Sequence, residues 1–348
     1  MHRLRNRTGD ARTVVLLLLL AGAPCGCASF NSPRPPDAHA LERLAREASP
    51  GAPSASWPAD PLLLERALEA PLEVRAVDEI PIGKSRPVRL TVTSDLLERP
   101  VEVKWKRAPD DLDVINNSPR KEIAAYRVQK LVLDPPDFVV PTTVLQCLPI
   151  DALPGRRLEP QPLDGAGCAI GALSVWLDDV RHPAKKIEPA RFWNDPVYAY
   201  HAANMNLVAI LMDHSDSHRK NLLESTDPEN RRMFSVDNGI SFGSWFRNPF
   251  IRDWNRLRVP ALRAESIERL RAVRREDLEA LAVVAQLERG PDGVYRPVDP
   301  GESLDPGEGV RIRSAVIQLG LDVKEIDGVW ARRARLLEAV DAGRVAVF

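Results

Sequence analysis

Hydrophobic positions change their spacing along the chain. Val88, Leu90 and Val92 alternate with polar residues, and beyond the turn-like stretch SDLLERP so do Val101, Val103 and Trp105, which predicts the two strands of a hairpin. The same alternation puts Lys104 and Lys106 together on the opposite face. Ser118-Pro119 can cap and start a helix in which Ala124, Val128 and Leu131 recur at helical spacing and Glu122 lies in the first turn. Strand-like runs over 138–145 and 172–177 complete a first half that reads as a sheet carrying one helix. Asp195-Pro196 gives a second cap and start, after which Val197, Tyr200, Asn204, Leu207 and Leu211 trace one helical face. Later stretches, 265–289 and 324–342, again have a helical period. The expectation is an α+β fold of two lobes, β-rich over 61–180 and α-rich over 181–348, with a cleft between them.

Ahead of these elements the pattern is different. Residues 1–27 open with Arg3, Arg5, Arg7 and Arg12, continue with an apolar run over 14–20 and end in small residues before Cys25 and Cys27, as a signal peptide does. The segment resembles a bacterial lipoprotein signal, with Cys27 as the residue that takes the lipid, and this implies an exported protein anchored at the bacterial cell envelope through its N-terminus. Residues 28–60, rich in Pro, Ala and Ser, read as a disordered tether that would lift the folded part off the membrane. Beyond the first thirty residues no apolar run approaches the roughly 20 residues needed to span a bilayer. Basic and acidic residues balance to a net charge of -1, so no bulk attraction to nucleic acid is implied and no nucleic-acid partner is expected. Cys147 and Cys168 are left after export; a bridge between them and two buried thiols are both open readings.

The stretch richest in chemistry is NLVAILMDHSDSHRKNLLESTDPENRRMFSVDNGISFG. Leu222 and Leu223, a polar turn and then 233–236 predict a second hairpin, and pairing Leu222 with Val236 would put Asn221 opposite Asp237 at its open end. Asp216 precedes them in the same loop. Hard oxygen donors of this kind suit Mg²⁺ on nucleotide phosphates, and Gly239 would allow a sharp exit.

With these residues the chain resembles the phosphatidylinositol 3/4-kinase-like superfamily, which includes HipA-type toxin kinases and the secretory-pathway casein kinases. The resemblance rests on DSHRKN (Asp216 to Asn221) and DNG (Asp237 to Gly239), with VEVKWK as the lysine strand and RKEIAAYR as the glutamate helix, and covers roughly 88–260. It implies a two-lobed protein-kinase-like fold, ATP and Mg²⁺ as cofactors, and transfer of a γ-phosphoryl group to a hydroxyl of a protein, lipid or sugar acceptor. By the same resemblance Lys104 would contact the phosphates and pair with Glu122, Asp216 would accept the hydroxyl proton, and Asn221 and Asp237 would hold the metal. Lys106 shares the face of Lys104 and is the alternative lysine; Lys104 is preferred as the more central in its strand. His218, two residues from Asp216, is a further candidate base. The segment GALSVWLDDV resembles the interlobe hinge, where Val175, Trp176 and Leu177 would hold adenine. SDLLERP has no glycine, unlike the phosphate-covering loop of protein kinases. Acceptor choice would lie in loops such as 243–253.

Two other readings stand beside this one. A kinase-like domain could persist at the envelope as an inactive binding module, since ATP is scarce outside the cytoplasm. A metal-dependent hydrolase could use Asp213, His214, Asp216 and His218 as ligands.

Overall fold

The computed structural model describes residues 30–348 apart from 31, 33, 38, 52–55, 81–86, 115–116, 153–160, 164, 184–187, 228–231 and 244–253. The segment 1–27, expected to be a signal peptide, and nearly all of the 243–253 loop therefore lie outside the described residues.

The stretch expected to be a tether is largely folded onto the rest. Ala40 and Leu44, a helical turn apart, bury one face of α1 (Ala40–Glu47), and Phe30 is buried too. Ser32 donates its N–H to Arg344 O and accepts the Ala346 N–H, each at 2.9 Å, while His201 Nε2 lies 2.9 Å from Pro50 O. Composition alone misread this segment, because a few spaced apolar residues suffice when a prepared surface receives them. Next comes α2 (Pro61–Glu69), whose N-cap Asp60 accepts from the N–H groups of Leu62 and Leu63.

β1 (Glu73–Glu79), β2 (Val88–Thr93), β3 (Val101–Arg107), β4 (Thr143–Pro149) and β5 (Cys168–Val175) form one antiparallel sheet in the order β1-β2-β3-β5-β4. Its apolar face, Val88, Leu90, Val92, Val103 and Trp105 among others, packs with Leu64 and Leu68 of α2 into a small core of its own. Between β3 and β4 runs α3 (Pro119–Gln129), buried along almost its whole length. The strand expected over 138–145 begins only at Thr143, because the amide of Gln129 holds Val139 N, Val140 N and Val140 O, each at 2.8 Å, in a packed loop. The run over 172–177 belongs to β5, which starts earlier and stops at Val175. Cys147 and Cys168 form a disulfide across β4 and β5, which decides between the bridge and the two thiols.

After β6 (Val180–Arg181) and α4 (Pro189–Asn194) comes α5 (Pro196–Leu211), capped by Asp195, whose carboxylate accepts the Tyr198 N–H at 3.0 Å. It is buried on every side from Tyr198 onward and forms the centre of the larger core. β7 (Leu222–Ser225) and β8 (Met233–Ser235) make the expected second hairpin, with β6 alongside β7. β9 (Ala261–Leu262), α6 (Ala264–Ala272) and α7 (Arg275–Glu279) follow.

From here the expectation of a mostly α-helical second half fails. β10 (Ala285–Arg289), β11 (Tyr295–Val298), β12 (Val310–Arg313) and β13 (Val316–Leu319) build a four-stranded antiparallel sheet in the order β11-β10-β13-β12. The helical period expected through 289 thus ends in a strand: Leu287 turns its side chain into the core and pairs with Ile317, a partner thirty residues downstream that local periodicity does not reveal. The chain closes with α8 (Val323–Asp341) and β14 (Ala346–Val347), which pairs in parallel with β9. The whole is a mixed α+β protein with eight α-helices among the described residues, none of them long and apolar enough to cross a membrane.

Candidate functional site

The polar face of β3 meets α3 and the end of the β7–β8 hairpin. Opposite β3, Gly171 leaves room for the Trp105 ring: a Cβ there would lie 2.6 Å from Trp105 Nε1 and 2.7 Å from Lys106 O. Lys106 is 4% exposed, and its Nζ lies 2.9 Å from Glu122 Oε1 and 3.1 Å from Asp237 Oδ1. Lys104, further out on the same face, comes within 3.7 Å of Asp237. The lysine that pairs with Glu122 is therefore Lys106 and not Lys104. What selects it is burial against α3, and position within the strand does not report that.

Burial works against the Lys106 ammonium, yet Glu122 and Asp237 more than offset it and hold its pKa above the ordinary lysine value. Burial alone would raise the Asp237 carboxyl; Lys104 and Lys106 outweigh it and bring the pKa down to about 2. Both members of the pair are charged at neutral pH.

The hairpin register is one residue off the expected pairing. Leu222 faces Ser235, so Asn221 stands level with Val236, whose N–H it accepts at 3.0 Å, and Asp237 follows just beyond. Asp237 itself takes the left-handed backbone conformation, with φ of 58°, and this aims its carboxylate back at β3. Gly239 is absent from the positive-φ residues, so the sharp exit is made at Asp237, while a Cβ added at Gly239 would lie 3.5 Å from Glu122 Oε1.

Asn221 donates from Nδ2 to both the carbonyl of Asp216, at 2.9 Å, and its Oδ2, at 3.0 Å. The amide is thereby oriented with Oδ1 turned away from Asp216. Burial raises the Asp216 carboxyl above its usual range, with His218 and Asn221 pulling it back in part and Asp237 adding to the rise. His218 Nδ1 accepts the Lys220 N–H, which leaves the proton on Nε2 when the ring is neutral, 3.7 Å from Asp216 Oδ1. Beneath this loop His214 is fully buried against the backbone of Val236 and Ile240, and burial pushes its pKa down to about 4.

At the other candidate edge, the N–H groups of Val175 and Trp176 are taken by Thr142 O and Glu102 O, and that of Asp178 by Ser56 O. Trp176 carries the guanidinium of Arg89 5.4 Å above its ring. Asp213 accepts from Asn255 Nδ2 at 3.1 Å, and among the described residues no group of three or more His, Cys, Asp or Glu side chains could hold a metal ion. Asp213, His214, Asp216 and His218 form no such group. A cavity of about 780 Å³ lies elsewhere, behind the end of α3 among Arg127, Lys130, Leu131, Val284 and Val298.

Asn255 and the charges around Glu122, namely Arg120, Lys121 and Glu325, went unread in the sequence. The consecutive triplet Arg120-Lys121-Glu122 in one helical turn was the available signal, since three charges in sequence on a buried helix must each find a partner. No family model matches the chain, and no curated protein matches it.

Proposed function

We propose that the protein is an ATP- and Mg²⁺-dependent phosphotransferase with a two-lobed kinase-like architecture, moving a γ-phosphoryl group to a hydroxyl acceptor at the cell envelope. The observation that carries this reading is the buried Lys106 held between Glu122 on a helix and Asp237 at a hairpin end, with Asp216 and Asn221 bonded together beside it. Three elements, β3, α3 and the loop leading into the β7–β8 hairpin and its end, supply one buried cation, one oriented amide oxygen and three carboxylates, of which Asp216 and Asp237 have pKa values driven in opposite directions. The five-stranded sheet with α3 after its third strand supports the same reading.

In this site Lys106 would contact the transferred phosphates, with Glu122 fixing the ammonium. Asp237 and the Asn221 Oδ1 are hard oxygen donors suited to Mg²⁺, which when bound neutralises phosphate charge. Asp216, its Oδ2 engaged by Asn221, would take the acceptor's proton on Oδ1 as the new oxygen–phosphorus bond forms and ADP leaves. His218 Nε2, which carries the ring proton, lies 3.7 Å from Asp216 Oδ1 and is placed to donate toward that carboxylate or a phosphate oxygen. For adenine we assign the backbone of Leu177, since the neighbouring amides of Val175, Trp176 and Asp178 are already bonded within the protein. The Cys147–Cys168 disulfide accords with export, and we assign the lipid anchor to Cys27.

A nucleotide-binding module without transferase activity is the second reading, favoured by the direct contact of Lys106 with the proposed metal ligand Asp237. Calorimetric titration of the domain with MgATP tests the first. Binding is expected for the wild type, with a loss of about a hundredfold in Asp237→Ala and in Lys106→Ala and a smaller loss in Lys104→Ala. A folded wild type that binds no nucleotide with or without Mg²⁺ would remove the phosphotransferase reading, and binding without ATP turnover would favour the module.

A further inference from the structure

The first turn of α3 is not held by a side-chain cap of its own. Ser118 occupies the N-cap position without a cap hydrogen bond, and its Oγ is buried and unpartnered. The hold comes from the far end of the chain. Arg120, Lys121 and Glu122 are all buried, and at about 100° per residue they leave the helix in three directions. Glu122 points to Lys106, whereas Arg120 and Lys121 both reach Glu325 in the first turn of α8.

The fit around Glu325 is close. Its Oε2 lies 2.5 Å from Arg120 Nη1 and its Oε1 3.2 Å from Lys121 Nζ, so each carboxylate oxygen holds one cation. Arg120 also donates to Asp113 Oδ2 at 2.6 Å and to Gly320 O at 3.1 Å. Glu325 is fixed in turn by the α8 capping box, in which its Oε2 accepts the Asp322 N–H and Asp322 Oδ1 accepts the Glu325 N–H. Gly309 passes so near the guanidinium that a Cβ there would lie 2.5 Å from Arg120 Cζ, so the unexpected C-terminal sheet closes directly on this helix turn.

We propose that Glu325 is a positioning residue, through which the C-terminal sheet and α8 lock α3 in the rotation that keeps Glu122 on Lys106. Any turn of α3 about its axis that withdraws Glu122 must break the contacts of both Arg120 and Lys121 with a single buried carboxylate, which costs more than losing one exposed pair. The lysine–glutamate pair is thereby built into the fold and requires no separate activating event. The consequence for phosphoryl transfer rests on the function proposed above; the lock itself does not.

The test reads Lys106 directly. The folded protein is treated with a water-soluble acylating reagent, and modification of Lys106 and Lys104 is followed by peptide mass spectrometry, alongside thermal unfolding. In Glu325→Gln, α3 is free to turn and Lys106, no longer covered by Glu122, should be modified about tenfold faster as it opens to the reagent, while Lys104 changes little. Glu325→Asp keeps the charge and should give an intermediate rate, which preserves the test should the glutamine variant fold poorly. Asp322→Ala weakens the same capping box but leaves the Glu325 carboxylate in place; it should lower the melting temperature without exposing Lys106. Unchanged Lys106 reactivity in both Glu325 variants, or an equal rise in Asp322→Ala, would overturn the lock. Nucleotide binding plays no part in the readout. A wild type unable to bind ATP would dispose of the proposed function and leave the lock standing, and an indifferent Lys106 would do the reverse.

Discussion

His201 and His214 are both wholly enclosed, and burial pushes their pKa values down to about 3 and about 4 from an ordinary 6.5. Below 6.5 the unfolded chain takes up protons at both positions and the native protein does not. Their share of stability is therefore complete above 6.5 and drains away as pH falls through the folded values, at about 1.4 kcal/mol per pH unit for each histidine. Asp237, held down at about 2, adds its loss only in more acid solution, below its ordinary 3.8. Urea unfolding at pH 7 and pH 5 should show a marked loss of stability at the lower pH, reduced by roughly half in His201→Gln, whose amide can still donate to Pro50 O. Equal slopes in wild type and variant would mean that His201 titrates freely. At this scale the sequence was partly legible. Alternation placed Lys104 and Lys106 on one face, but which of them is buried depends on where α3 crosses, a tertiary fact that no neighbouring residue encodes.

Elements with strong local signals appeared where expected, and the reason is the same in each case. The Asp195-Pro196 start of α5 and the β2–β3 alternation are decided by near neighbours. The β7–β8 hairpin was legible as a hairpin, but its register slipped by one residue because the turn between its strands is long and carries no two-residue signature. β10 was read as helix: Ala285, Gln286, Leu287, Glu288 and Arg289 include no β-branched residue and continue a helix-like composition, and only pairing with β13 makes them a strand. The disulfide between β4 and β5 ties the ends of a loop of 21 residues' separation, worth about 3 kcal/mol by chain entropy. Replacing both Cys147 and Cys168 by Ser should lower the unfolding free energy by that amount in denaturant titration, with added reductant no longer affecting the variant. A loss far below this would place the stabilisation in strand pairing alone.

Across the whole molecule, segments distant in sequence close on one another. The larger core around α5 takes in α3, and α3 is gripped by residues from the last quarter of the chain. The N-terminal segment, expected to hang free, is stitched through Ser32 to the strand that ends the chain. That stitch fixes a distance. From Cys27 to the buried Phe30 there are three residues, a reach of about 10 Å even at full extension. A lipid on Cys27 would leave the body no slack, seating the side that carries Phe30, Arg344 and β14 down on the headgroups in one orientation. On vesicles bearing a headgroup quencher, a fluorophore at residue 344 should be dimmed, and a flexible insert of about thirty Gly and Ser residues after Ser29 should restore its emission. Emission indifferent to the insert would mean a body that is held away from the surface by other means. A protein seated in this way would survey a thin layer beside the bilayer rather than the volume around it, meeting only those molecules that also lie in that layer.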